Sequence, residues 1–426
     1  MIIYKNAINF MEYLLSIIIV IEFASVYSHF DSYVSNILNV FTIMILLLLI
    51  VTSFLYLTAG HKISAKLLLI IVSYYIFFVF PFIFMNNRMY PIGSLFVLQL
   101  FLLPLMLFYF EMCFLINNPW SLLDKICKII YIVAIISMFF WLLCSVFKVI
   151  SPTGTVTTDW GPKRQIPSYY GVYFETQPIN FGSIDTVRNS GIYTEGPMFA
   201  FTLSLCYGFR VFIQKKSARS NILLILSMIS TMTSTSVIIL LGSALVVFLE
   251  NTKFNKKIQF LIGPLILIIV IYLLWLIALQ KITTGESFSV RMDDVHAAFL
   301  AWLQNPLFGN GIGNFESLIN KMSSARTALQ SHLYIGFSSG FMQILALGGI
   351  FLELIYTIPI FAFGIANHSK YGFYGFVFSG MILFLFFNLI ISFEWLFLIL
   401  LPMLFSFSIF HLGKPIIDDQ ETNYGI

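Results

Sequence analysis

The sequence predicts an all-α, polytopic membrane protein with about 12 transmembrane helices in a single membrane domain spanning 1–426. Three observations carry that prediction. Hydrophobic residues make up 59% of the chain and charged residues only 10%, with a mean hydropathy of +0.93, whereas about a quarter of a soluble domain is charged. Apolar runs long enough for the roughly 20-residue helix that crosses a bilayer recur from one end to the other. Polar sequence is concentrated in two long stretches, 151–192 and 281–335.

The apolar runs cover 10–28, 37–58, 66–85, 93–116 and 127–150, then 193–213, 221–250 and 258–280, and finally 336–361, 373–390 and 395–411. The first follows Lys5 and reads as an uncleaved helix, because no small-residue cleavage site ends it and a second apolar run succeeds it. The run 221–250 decides the parity of the topology. Lys215, Lys216 and Arg219 flank it on one side and Lys253, Lys256 and Lys257 on the other, so a single crossing would put one basic cluster outside, against the positive-inside bias. Two short helices joined at the hydroxyl run Thr231–Ser236 remove the conflict, since Ser and Thr favour turns by bonding nearby backbone. The count is then twelve, with both termini in the cytoplasm, and Lys62, Lys66, Lys125, Lys128, Lys370 and Lys414 all fall inside. The two long polar stretches become outer loops. They keep Lys163, Arg164 and Arg188 in the first and Lys281, Arg291, Lys321 and Arg326 in the second, and basic residues held outside against the bias point to an anionic ligand there.

Chemistry-bearing residues gather in the same two loops. In the second, Met292, Val295, Phe299 and Trp302 recur at helical spacing, predicting an amphipathic surface helix with Ser287 or Ser289 as N-cap, Arg291, Asp294 and Ala298 on another face, and Asn305-Pro306 as the stop. The following Gly309–Gly313 run, GNGIG, lacks the strand-loop-helix setting of a nucleotide fingerprint and reads as a tight turn packing the helix back on the bundle. In the first loop, RNSGIYTEGPMFA leads from Arg188 straight into a membrane helix. Glu195 reads there either as a helix-start residue favoured by the dipole or as a carboxylate that orients or accepts a proton. His332 precedes the next membrane helix, as a solvated loop residue or a site member. Tyr169, Tyr170, Tyr173 and Trp160 are candidates for stacking on sugar rings. Glu22, Glu111 and Glu353 lie in or at the ends of apolar runs, where carboxylates are functional hypotheses.

Several classes are excluded by what is missing. The four cysteines form no CxxC pair, and there is no DxD, P-loop or HExxH pattern. Nothing points to nucleic acid, a metal or another cofactor. An enzyme built this way needs a donor that is already activated and already in the membrane, such as a lipid diphosphate, whose oxygens two outer arginines can bind through charge-assisted bonds worth about 1.5–3 kcal/mol each.

At these residues the chain resembles the superfamily of O-antigen polymerases and O-antigen ligases. The likeness spans Arg188 to Leu347 and is carried by RNSGIYTEGP, by the pattern from Ser289 to Phe315 that ends in NPLFGNGIGNF, and by the His332 segment. Leu333 and Ser339 stand where that family commonly has Asn and Glu. The resemblance implies a GT-C-like, metal-independent glycosyltransferase of the bacterial cytoplasmic membrane that uses an undecaprenyl-diphosphate-linked oligosaccharide as donor. Arg188 and Arg291 would hold the diphosphate, and Glu195 or His332 would orient or deprotonate the acceptor. The EGP at Glu195 favours a polymerase of capsule, exopolysaccharide or O-antigen repeat units; a ligase-type glycan transferase and a flippase for the same lipid-linked sugar are the alternatives. Membrane lipid, a chain-length regulator and a flippase are the partners that reading implies.

Overall fold

The computed structural model describes residues 2–30, 32–60, 63–85, 91–158, 164–181, 184–250, 286–324, 326 and 337–410, together with Pro264, Ile268 and Tyr272. The expected crossing at 258–280 and the candidates His332 and Trp160 therefore lie outside the described residues, apart from those three positions of 258–280.

The chain is mostly helical, and six helices among the described residues are long and apolar enough to cross a membrane. The opening helices are α1 (Ile2–Glu22), α2 (Val26–Phe30), α3 (Ser32–Gly60), α4 (Ala65–Tyr74) with its continuation α5 (Phe80–Met85), α6 (Pro91–Leu115) and α7 (Ser121–Phe140). Helix α1 packs between α3 and α7. At its midpoint Glu12 is buried and accepts bonds from Tyr109 Oη, Ser121 Oγ and Lys125 Nζ. Lys125 is thus a buried ion-pair partner of α1 and not a solvated loop lysine.

The first polar stretch is not a bare loop. It forms a small cap of two antiparallel sheets, β1 (Gly154–Thr157), β2 (Gln165–Tyr169) and β3 (Tyr173–Phe174), then the hairpin β4 (Pro178–Phe181) and β5 (Ile184–Val187). The cap is pinned to the bundle by Val26 N–H donating to Ile192 O at 2.9 Å and by Trp141 Nε1 donating to Val187 O at 2.8 Å. Tyr169 and Tyr173 are buried in it, with Tyr173 Oη 2.8 Å from Ser145 Oγ, so they pack the cap and cannot stack on a ligand. Tyr170 remains exposed.

Helix α8 (Gly196–Gly208) follows, continued by a wider turn through Phe209–Ile213. The run 221–250 is split, as its hydroxyls predict, into α9 (Ile222–Ser230) and α10 (Ser234–Glu250). Thr231 Oγ1 lies 3.1 Å from Thr233 Oγ1 and 3.0 Å from Ser236 Oγ, so the hydroxyls satisfy one another at the buried tip of a helical hairpin.

The second polar stretch yields α11 (Glu286–Gln304) and the short α12 (Glu316–Ile319). Beyond it stand α13 (Gly340–Ala366), α14 (His368–Tyr371), α15 (Phe373–Asn388) and α16 (Trp395–Phe410). Two expectations for α11 change. The helix starts at Glu286, so Ser287 and Ser289 lie in its first turn and neither is the N-cap. Its apolar stripe is also not all packed inward: Met292 and Phe299 are exposed while Val295 packs, partly buried, against the core, and the fully buried face is the small one, Asp294, Ala297, Ala298 and Ala301. Alanines let α11 approach α13 closely, and Asp294 is tolerated because Arg326 pairs with both it and Asp293. Arg326 is therefore a structural lock rather than a free outer cation.

Helix α13 is two helices. Gly349 has φ 68° and ψ −173°, and Ser392 reaches both sides of that break, its Oγ donating to Gly340 O at 3.2 Å and its carbonyl accepting from Tyr356 Oη at 2.7 Å. A straight helix would set those two residues about 24 Å apart. The broken ladder is completed by the turn after α11. Asn310 and Gly311 N–H donate to Ala346 and Leu347 O, and Ile350 and Phe351 N–H donate to Pro306 and Leu307 O. This explains the glycines: Gly309, Gly311 and Gly313 all have positive φ, and a Cβ at Gly309 would lie 2.3 Å from the Leu347 carbonyl.

Candidate functional site

The functional residues of the first polar stretch are set by the segment between β5 and α8. Arg188 N–H donates to Gln177 O at 3.0 Å. Asn189 is buried and bonds Ser230 twice, N–H to O and Nδ2 to Oγ, both at 3.0 Å, which ties the segment to the tip of the α9–α10 hairpin. Gly191, at φ +57°, turns the chain. Thr194 N–H and Oγ1 both donate to Ala24 O, at 3.0 and 3.1 Å. The next residue is Glu195, whose position is thereby fixed from two sides.

Glu195 is the N-cap residue of α8, with extended backbone, yet its side chain makes no capping bond. Gln177 does that work, its Oε1 accepting from Gly196 N–H at 3.1 Å. Glu195 thus stands at the helix start, where the dipole favours a carboxylate, but its side chain is not used as a cap and faces the arginines. Three of them stand within electrostatic reach: Arg164, Arg188 and Arg291. Burial pushes the Glu195 carboxyl above its ordinary value, and the three guanidiniums oppose that shift. Burial likewise lowers Arg188, opposed by Glu195 and reinforced by Arg291.

Arg188 and Arg291 arise from stretches about a hundred residues apart and meet here, each partly buried. Arg188 runs along Gly196, where an added Cβ would lie 3.5 Å from its Cδ, and its Nε is buried without a hydrogen-bond partner among the described residues. Arg291 is carried by α11 next to Asp293 and Asp294, but those carboxylates are taken by Arg326, with Asp293 also accepting from Ser323 N–H. Burial raises Asp294, opposed by bonds from Ser338 and Arg326.

Arg164 is the site residue that motif reasoning passed over. It is exposed, at the start of the chain into β2, and its Nη2 donates to Thr176 O. The signal was its basic charge in a long polar stretch, not any motif. The intramembrane carboxylates are elsewhere or behind the site: Glu353 and Glu111 are buried in α13 and α6, and Glu22 at the end of α1 faces Glu394. Burial pushes Glu394 up to about 7, with the Ala24 backbone N–H opposing.

Three guanidiniums around one carboxylate can hold an anionic group by charge-assisted bonds while the carboxylate accepts or orients a proton beside it. No protein-family model matches the chain, and no curated protein matches it.

Proposed function

We propose that this chain is a membrane polysaccharide polymerase, joining oligosaccharide repeat units carried on undecaprenyl diphosphate at the outer face of the bacterial cytoplasmic membrane. In this reading it crosses the membrane twelve times in a GT-C-like arrangement, with both termini in the cytoplasm and the β cap and α11 outside. The return of α9 and α10 to the face they started from supports an even count.

The observation that carries the reading is the convergence of Arg164, Arg188 and Arg291 on Glu195. A hydroxyl of one lipid-linked unit attacks the anomeric carbon of a growing chain, and the glycosidic bond to the diphosphate breaks. Arg188 and Arg291 stabilise the charge that develops on the departing diphosphate. Glu195 takes the proton of the attacking hydroxyl. The arginines supply the neutralisation that a divalent metal supplies in other transferases, so the reaction is written without one. His332 is the alternative acceptor base in this reading.

The test is Arg291→Ala in a cell that displays a glycan ladder. The expected result is loss of long chains with single repeat units retained. Survival of long chains would refute the site, and loss of single units as well would point to translocation instead.

A further inference from the structure

A cavity of ≈ 780 Å³ opens at the end of α8 remote from Glu195. Its walls are mainly apolar and come from three elements that pack together: Val211 beyond α8, Ile225 of α9, and Leu240, Ala244 and Val247 of α10. The hydrogen bond between Tyr207 Oη and Ser243 Oγ, at 2.9 Å, lies at the inner end. Lys215 and Lys216 form the rim. Tyr207 and Lys215, both lining it, stand at the two ends of the wider turn through Phe209–Ile213, so the cavity extends from the end of α8 to the basic rim.

The rim is cationic and the cations are uncommitted. Lys215 and Lys216 are exposed and have no acidic partner in ion-pair range among the described residues. Their backbone is nonetheless fixed: Lys215 sits at φ +53° in a turn closed by Lys216 N–H donating to Arg210 O at 2.8 Å. The neighbouring cavity, with Asp124, Lys128 and Arg210, is the internal contrast. There Lys128 pairs with Asp124 at 2.8 Å, and Arg210 donates to Asn221 Oδ1 at 2.6 Å and to Ser220 O at 3.0 Å, so both cations are already held by groups of the protein. No acid lines the cavity among the described residues; Glu250 at the end of α10 is in electrostatic reach of Tyr374 in its wall, against the two rim lysines and the exposed Arg219 that follows them in the chain.

We propose that this cavity is a binding site for an anionic glycerophospholipid, its phosphate held by Lys215 and Lys216 and part of an acyl chain lying between α8 and α10. An apolar hollow between membrane helices admits acyl chains of any lipid, while basic pockets at such a rim select anionic headgroups. The site is independent of the one at Glu195.

The experiment places the full chain in nanodiscs of equimolar phosphatidylglycerol and phosphatidylcholine, extracts it in mild detergent, and counts retained lipids by native mass spectrometry. The wild type is expected to retain phosphatidylglycerol in preference. In K215Q/K216Q that preference falls about 25-fold, each lysine contributing about fivefold. Ala244→Phe fills the hollow and lowers retention of both lipids, whereas Lys128→Gln leaves the preference unchanged. Absence of a preference in the wild type, or an equal loss in Lys128→Gln and K215Q/K216Q, would overturn the proposal.

Discussion

Replacing Gly349 with alanine should unseat α11 from the bundle. The residue occupies φ 68°, ψ −173°, a region essentially restricted to glycine that costs other residues about 1–3 kcal/mol. The new Cβ would also lie 2.3 Å from Leu307 O and 2.6 Å from Phe308 N. These are backbone atoms and cannot rotate aside. Relief requires the turn after α11 to retreat, which stretches the four backbone bonds joining 306–311 to 346–351. Losing half to all of them, at about 1 kcal/mol net each, brings the expected destabilisation to about 3–7 kcal/mol. The assay is the midpoint of thermal aggregation of the purified chain in detergent, compared with Gly380→Ala in α15, where an added Cβ meets nothing within 4 Å. Gly309→Ala strikes the same seam from the other side, 2.3 Å from the Leu347 carbonyl, and is expected to lower the midpoint comparably. If Gly349→Ala melts together with Gly380→Ala, the docking of α11 on a broken α13 is wrong.

Arg188→Ala and Arg291→Ala are each expected to slow repeat-unit transfer by about 10- to 150-fold, the equivalent of one lost charge-assisted interaction of about 1.5–3 kcal/mol, while Arg164→Ala, exposed and bonded to the cap, should cost less; an in vitro assay with defined lipid-linked units ranks them, and a larger loss at Arg164 would contradict the geometry. Glu195→Gln should lower turnover by at least about 100-fold yet stabilise the fold at neutral pH. The sign follows from burial: with the folded pKa raised, the stability linked to Glu195 is fully present below the ordinary glutamate value and is lost as pH rises through the raised one. The pH-dependence of unfolding should therefore flatten in that window in the glutamine variant, and an unchanged profile would count against it. Arg326→Ala leaves Asp294 buried without its partner and should cost about 3–5 kcal/mol; the double change with Asp294→Asn should recover a measurable part of it by a double-mutant cycle.

The helical, membrane-embedded class was legible because composition and 20-residue apolar runs leave few alternatives. Arg188, Arg291 and Glu195 were picked out as candidates for a different reason, basic residues in the two long polar stretches and an acid at a helix start, and the structure brings the three within electrostatic reach of one another. What stayed hidden was hidden by physics that a single chain segment does not carry. The run containing Gly348 and Gly349 reads as one continuous apolar helix, since the bend depends on hydrogen bonds supplied by residues 306–311. The inward face of α11 was misread because its larger apolar residues suggested a packing stripe, whereas close approach to α13 rewards Ala297, Ala298 and Ala301. Arg326 and Lys125 looked like unpaired basic residues until Asp294 and Glu12 were found beside them. Arg164 looked no different from Lys163 beside it in the sequence.

The charge arithmetic of the site bears on how the proposed reaction would run. Three arginines and an ionised Glu195 sum to +2 (3 − 1), and a glycosyl lipid diphosphate, one negative charge on each phosphate, brings −2. When the glycosidic bond breaks, the leaving lipid diphosphate gains a further negative charge, while Glu195 gains the acceptor's proton and the site becomes +3. Both changes occur together, so a partly buried site stays near neutrality throughout and avoids the cost of an uncompensated charge. In the proposed reaction that coupling would use the raised carboxyl: burial makes Glu195 readier to take a proton, and the three guanidiniums oppose that shift. It also separates binding from turnover. In Glu195→Gln the site is fixed at +3, matched to the product rather than to the donor, so the variant should bind free undecaprenyl diphosphate more tightly than the wild type while turning over poorly. Weaker binding of that product by the glutamine variant would mean that Glu195 positions the arginines and does not exchange a proton with the acceptor.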